Sequence, residues 1–275
     1  MAELFRMTGA EVYKALRRPY LAITALVSAA AAGGVAFLLF YLRSAAYYPD
    51  QVNLPLALFS LVFAMVIGLY FVAIGADIVF SDQYKFNTLK NEVSFGLSRT
   101  NIYLSRFLAS LVVLVLLLAA MVIPYVLCSA ILLGMPDDVT ALEQFGSSAM
   151  GALTTSLGFL GYYLLSSLPL WLGGLSVALC LSFLVNNNTF AELSYILGVI
   201  VGLPAVLENL GRYVDPIFTT LYQFTLSYPF SIMNGATPET GLDWAFTGQC
   251  WAIGLGWTLA AALIGLVLFH RKEIK

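Results

Sequence analysis

FLASLVVLVLLLAAMVIPYVLCSAILL, residues 107–133, holds no charged side chain and no break other than Pro124. A helix of about 20 mainly apolar residues spans the ~30 Å hydrocarbon core of a bilayer. This run is longer than that, and it is not alone. Five further segments meet the criterion: residues 20–42, 54–76, 158–185, 190–207 and 245–269. Composition agrees over the whole 275-residue chain: 60% of it is hydrophobic, 10% is charged, and its mean hydropathy is +0.88. A soluble domain of this size carries about 25% charged residues and could not hide so much apolar surface. The reading is an all-α integral membrane protein with six transmembrane helices, forming a single domain over 1–275.

Orientation follows from lysine and arginine, which concentrate in cytoplasmic connections. Arg6, Lys14, Arg17 and Arg18 precede the first span. Lys85, Lys90, Arg99 and Arg106 lie between the second and third, and Arg271, Lys272 and Lys275 follow the sixth. Eleven of the 13 basic residues thus fall on one side, leaving Arg43 and Arg212 on the other. Both termini are expected in the cytoplasm. The first apolar run exceeds the ~7–15 residues of a signal-peptide core, so a retained span is expected. The stretch 149–185 outreaches the membrane, which predicts a tilted or broken helix with bends at Pro169 or Gly173–Gly174. The fifth segment is short, with room to continue as a half-buried segment.

Several chemistries are excluded. The net charge of −2 implies no polyanionic partner, so no nucleic acid is expected. Cys128, Cys180 and Cys250 are scattered in apolar runs and read as small buried hydrophobes, with no metal site. His270 is the single histidine. It rules out a two-histidine zinc protease or an intramembrane Ser–His pair. No Gly-Lys dipeptide occurs, so the usual phosphate-binding loop is absent. No catalytic residue is assigned, and the chain is not read as an enzyme. The spans hold no midplane carboxylate, histidine or lysine, which argues against proton coupling. Asp77 and Glu192 lie at cytoplasmic ends.

Two cytoplasmic segments stand out. In residues 2–18, Phe5, Val12 and Leu16 share a helical face, and Glu3/Arg6 and Glu11/Lys14 form i,i+3 pairs. Pro19 ends or re-aims the helix. The segment reads either as an amphipathic helix in the interface plane or as a basic flank that sets topology. In residues 80–106, Phe86, Leu89, Val93 and Leu97 recur at helical spacing, and Asn87, Lys90, Asn91, Glu92 and Ser94 cover the polar side. Gly96 offers a stop, and Ser98 or Thr100 a cap for the next helix. Such a ridge either docks in a groove on a soluble partner or rests on lipid headgroups.

The order of these parts resembles the permeases of ABC-2 type exporters. Glu11-x-x-Lys14-x-x-Arg17-Arg18 leads into the first span. Asn87-Thr88-Leu89-Lys90-Asn91 follows Asp77 and Asp82. Leu97-Ser98-Arg99-x-x-Ile102-Tyr103-Leu104-Ser105-Arg106 leads into the third span. The family commonly has Gly-Thr-Leu-Lys, where this chain has Asn87, and a lysine where it has Arg106. The resemblance implies an elbow helix over 1–18 with Phe5, Glu11, Lys14, Arg17 and Arg18. It also implies a coupling region over 80–106, with Asn87, Leu89, Lys90, Asn91, Glu92, Val93, Phe95 and Arg99 meeting a separate ATPase subunit. ATP and Mg²⁺ would be bound by that partner, with no cofactor in this chain. A second permease chain and membrane lipid complete the partners, in a bacterial cell membrane. The style is similar to exporters of bacitracin-like antibiotics, lantibiotics or phenol-soluble peptides.

Two outer features follow. Residues 208–244 are unusually apolar for a connection, and Phe218, Leu221, Tyr222 and Phe224 either form an outer gate or pack on the outer leaflet. Gly198 and Gly202, a small-xxx-small pair, mark either a dimer seam or a close crossing inside the chain. The alternative to an ATP-driven exporter is a gradient-driven carrier or channel with an ion site built from carbonyls; a pure scaffold is the third reading.

Overall fold

The structure is a computed structural model describing residues 2–45, 52, 54–85, 88–134, 156–185, 187–234 and 244–272. It is helical, with no strand among the described residues. The elements are α1 (Ala2–Leu16), α2 (Pro19–Ser44), α3 (Leu54–Met65), α4 (Ile67–Lys85), α5 (Thr88–Ser94), α6 (Arg99–Leu133) and α7 (Ser156–Leu184). They continue as α8 (Asn188–Tyr213), α9 (Ile217–Tyr222), α10 (Tyr228–Asn234) and α11 (Trp244–Arg271). Among the described residues, α2, α6, α7, α8 and α11 are each long and apolar enough to cross a membrane. The pair α3–α4 qualifies jointly as a sixth, bent by 50°. The protein is therefore a membrane protein.

Arg18 is extended (φ −78°, ψ 125°) and Pro19 opens α2, so the proline re-aims the chain as expected. Gly96, at φ +83°, ends α5, and the Ser98 hydroxyl accepts from the Asn101 N–H at 3.2 Å to cap α6. α6 is the mast, packing against α1, α2, α3, α4, α7 and α11. Its 35 residues reach about 52 Å at 1.5 Å per residue, well beyond a ~30 Å core. α7 lies at the centre: 72% of its apolar window is buried, against 11% for α2, which faces outward.

Of the two expectations for 149–185, a tilted or a broken helix, the broken one is corrected. α7 runs unbroken through Pro169 and Gly173–Gly174, and residues 149–155 lie outside the described residues. α11 braces it at that point, where Gly254 lies against the Pro169 carbonyl. The fifth segment does continue: α8 extends to Tyr213, and its residues Ser194–Gly202 wind as a π-helix.

The break lies instead between Met65 and Ile67. A helix break inside an apolar layer frees backbone groups that need protein partners. The Trp171 indole N–H of α7 supplies one, donating to the Met65 carbonyl at 3.1 Å. Gly68 makes room for it, since a Cβ there would collide with the indole ring. Replacing Trp171 with phenylalanine strands that buried carbonyl, at about 1–3 kcal/mol. We expect Trp171→Phe and Gly68→Ala each to lower the thermal midpoint in calorimetry, and their combination to cost less than the sum, because both act on one contact.

Candidate functional site

Helix termini fix which elements share an end. Arg43 at the close of α2 donates to the Leu133 carbonyl at the close of α6, 2.7 Å away, so these C termini lie together. At the opposite end sit α1, α5, the start of α6, and the close of α4, α7 and α11. This second end carries Arg17, Arg18, Arg99, Arg106 and Lys272, and we refer to it as the basic end.

Its centre is Arg106. The side chain is 2% exposed, although it carries a full charge. One terminal nitrogen lies 3.1 Å from Glu11 Oε2 of α1, and the other lies 2.5 Å from Glu92 Oε2 of α5. Lys14 Nζ lies 2.8 Å from the other Glu11 oxygen. Two cations and two carboxylates make a neutral chain, Lys14–Glu11–Arg106–Glu92, that ties α1 and α5 to the mast. A planar guanidinium suits this geometry, since its donors fork toward two acceptors at once. The Arg106 guanidinium also sits 5.8 Å from the Phe80 ring centre, a cation–π contact.

Beneath it lies an aromatic knot. The Phe183 ring is 4.7 Å from Phe80, 4.8 Å from Tyr103 and 4.6 Å from Phe269. These four rings join α4, α6, α7 and α11, and all are fully buried. Gly265 of α11 allows the approach, because a Cβ there would press on Tyr103.

Arginine and lysine also close the helix ends. Arg99 donates to the carbonyls of Phe269, His270 and Lys272 at 2.6, 2.8 and 2.9 Å. Lys272 in turn donates to Phe183 and Leu184 at 2.8 and 3.1 Å. Cations at C termini satisfy the last carbonyls and the negative end of the helix dipole. Burial lowers the pKa of the Lys272 ammonium.

The site residues read from sequence distribute unevenly. Glu11, expected on the polar side of the elbow helix, is buried, because Arg106 draws it inward. Phe5 and Leu16 point outward, while Met7, Val12 and Ala15 pack on the core. Arg17 lies over the Tyr13 ring at 4.3 Å. In α5 the ridge is likewise corrected: Val93 and Leu97 pack inward against the chain's own core. Phe95 is 85% exposed at the tip, next to exposed Lys90 and Asn91. Phe86, Asn87 and the side chain of Leu89 lie outside the described residues. Arg99 serves the α11 terminus. Arg106, quoted in the motif but not assigned a role, is the residue that organises the site.

At the other end, Ile217–Tyr222 and Tyr228–Asn234 are short helices within residues 208–244, of which 235–243 lie outside the described residues. Leu221 and Phe224 are exposed, Phe218 and Tyr222 half-buried, and the Trp257 indole N–H donates to the Phe224 carbonyl at 2.8 Å. Gly198 is exposed with open space where a Cβ would stand, and Gly202 is half-buried in the same π-helical stretch.

No family model matches the chain, and no curated protein matches it.

Proposed function

We propose that this chain is the membrane permease subunit of an ATP-driven exporter of the ABC-2 type. In this reading the bent pair α3–α4 is one span, six spans cross the membrane, and the basic end with both termini is cytoplasmic. The observation that carries it is the strut Glu11–Arg106–Glu92. A short helix with an exposed phenylalanine at its tip, ion-paired to a helix that continues into the membrane layer, is suited to receive a push and pass it on. The chain's sequence offers no phosphate-binding loop, so a partner ATPase holds ATP and Mg²⁺ and does the hydrolysis. A second permease chain, identical or paralogous, completes the exporter, with the exposed Gly198 face as the candidate seam. The cargo is amphipathic: a peptide, an antibiotic or a lipid-like molecule.

The test is purification of the chain from its native membranes in mild detergent, with its companions identified by mass spectrometry. A stoichiometric P-loop ATPase is expected. Phe95→Ala should weaken its retention roughly 30-fold, the equivalent of a 2 kcal/mol interface anchor, while the thermal midpoint of the permease stays unchanged. Ion-driven transport by the purified chain alone in liposomes, without ATP, would overturn the proposal in favour of a gradient-driven carrier.

A further inference from the structure

The 50° break between α3 and α4 opens a cavity of about 270 Å³ against α2 and α6. Its lining is almost wholly apolar. The floor is made by Leu61, Met121 and Tyr125, all buried, and the rim by Val27, Val35 and Ile67, all exposed. The mouth therefore opens sideways, across the outward face of α2, and not toward either end of the bundle. α2 is the least enclosed of the spans, so this face meets the lipid tails.

The polar atoms in the floor are already used. Tyr125 Oη lies 2.6 Å from Ser60 Oγ and 2.7 Å from the Ala57 carbonyl, and Ser60 Oγ lies 2.8 Å from the same carbonyl. On the α2 wall, Ser28 donates to the Thr24 carbonyl of its own helix at 2.7 Å. Water needs two to four polar partners to occupy a site, and apolar cavities of about 150 Å³ stay dry yet take up benzene. A larger void of this kind would cost its lining atoms their dispersion contacts if left empty. The guest must be apolar, thin enough to enter between α2 and α4, and supplied from the side.

We propose that the cavity binds one acyl chain of a bilayer phospholipid, entering laterally past α2 and lying against the break. The inference rests on the membrane reading alone and not on the exporter proposal.

The experiment reconstitutes the full chain in phosphatidylcholine vesicles carrying a trace of phosphatidylcholine with a diazirine midway along one acyl chain. After irradiation, adducts are mapped by peptide mass spectrometry. Exposed Leu26 and Leu38 of α2 serve as the reference for contact with bulk lipid. Met121 and Tyr125 are buried and reachable only through the cavity, so adducts on them are the diagnostic result. Ala31→Phe, which fills the mouth from α2, should cut floor adducts at least tenfold while leaving Leu26 and Leu38 unchanged. Ser28→Leu provides a second filling variant should the first not fold. An unlabelled floor in the unmodified chain would overturn the proposal, as would floor labelling that persists in both filled variants. Absence of adducts from the whole α2 face would also overturn it, by showing that another protein surface covers the mouth.

Discussion

Replacing Arg106 with leucine is expected to cost about 3–5 kcal/mol, the range found when one partner of a buried ion pair is removed. The loss comes less from the bonds than from what remains: Glu11 and Glu92 carboxylates at 10% and 19% exposure, with Lys14 as the nearest cation in the network. Hydrogen exchange should read this directly, with faster exchange across α1 and α5 and little change in the α7–α11 core. Adding Glu11→Gln and Glu92→Gln to Arg106→Leu removes the stranded charges. That triple variant should recover much of the thermal midpoint, since neutral replacement of a buried ionic cluster is often tolerated. Arg106→Lys should fall between, because one ammonium cannot fork to two carboxylates. If the strut transmits force as proposed, the stable triple variant will still fail in ATP-driven transport. Equal stability of Arg106→Leu and the unmodified chain would remove the energetic basis of the site.

Residues 107–133 and their companions were legible as helices because length and apolarity are local properties. A ~30 Å apolar layer asks for little else. The break was not legible, for the opposite reason. Pro169 is the visible helix breaker, yet its helix continues because α11 packs against it. Met65–Ile67 carries no proline, and its break is satisfied by Trp171, 106 positions away. Gly68 is the local trace of that contact, but only the structure shows which side chain needs the room. The site divides the same way. The Glu11–Lys14 pair is an i,i+3 pattern readable along one helix. The Glu11–Arg106 pair crosses between helices, and no periodicity announces it. A signal was present all the same: an arginine bordering a long apolar run must find a partner or water. Glu92, fourteen positions upstream, was within reach. The α5 ridge misled because a spacing of 3 and 4 marks a buried face without saying what buries it. Here Val93 and Leu97 turn to the chain itself, and Phe95, off that ridge, is the side chain left exposed.

Gly254→Leu is expected to prevent stable docking of α11 on α7. The two helices cross at backbone contact. A Cβ at Gly254 would run into the Pro169 carbonyl, and one at Gly173 would stand 2.9 Å from the Gly254 carbonyl and 3.0 Å from Leu226 Cδ2. The obstacles are mostly backbone, which cannot rotate aside. Even Gly254→Ala should therefore cost about 1–3 kcal/mol by overpacking. Gly256 supplies the control. It lies in the same helix with open space where its Cβ would be. Gly256→Ala should be neutral or stabilising by up to about 1 kcal/mol, from helix propensity alone. Opposite signs at two glycines two residues apart would locate the effect in the crossing and not in the helix. The consequence reaches the far end of the bundle as well. Ser166 and Thr247 share a hydrogen bond at 3.0 Å along this seam, and Trp257 holds the Phe224 carbonyl from α11. Parting α7 from α11 should then release the segment around Tyr222 and Phe224. Hydrogen exchange in residues 217–234 should accelerate in Gly254→Ala and stay unchanged in Gly256→Ala. Protection that persists in Gly254→Ala would mean that this segment is held by α10 and its Phe230–Met233 packing, with the Trp257 tether dispensable.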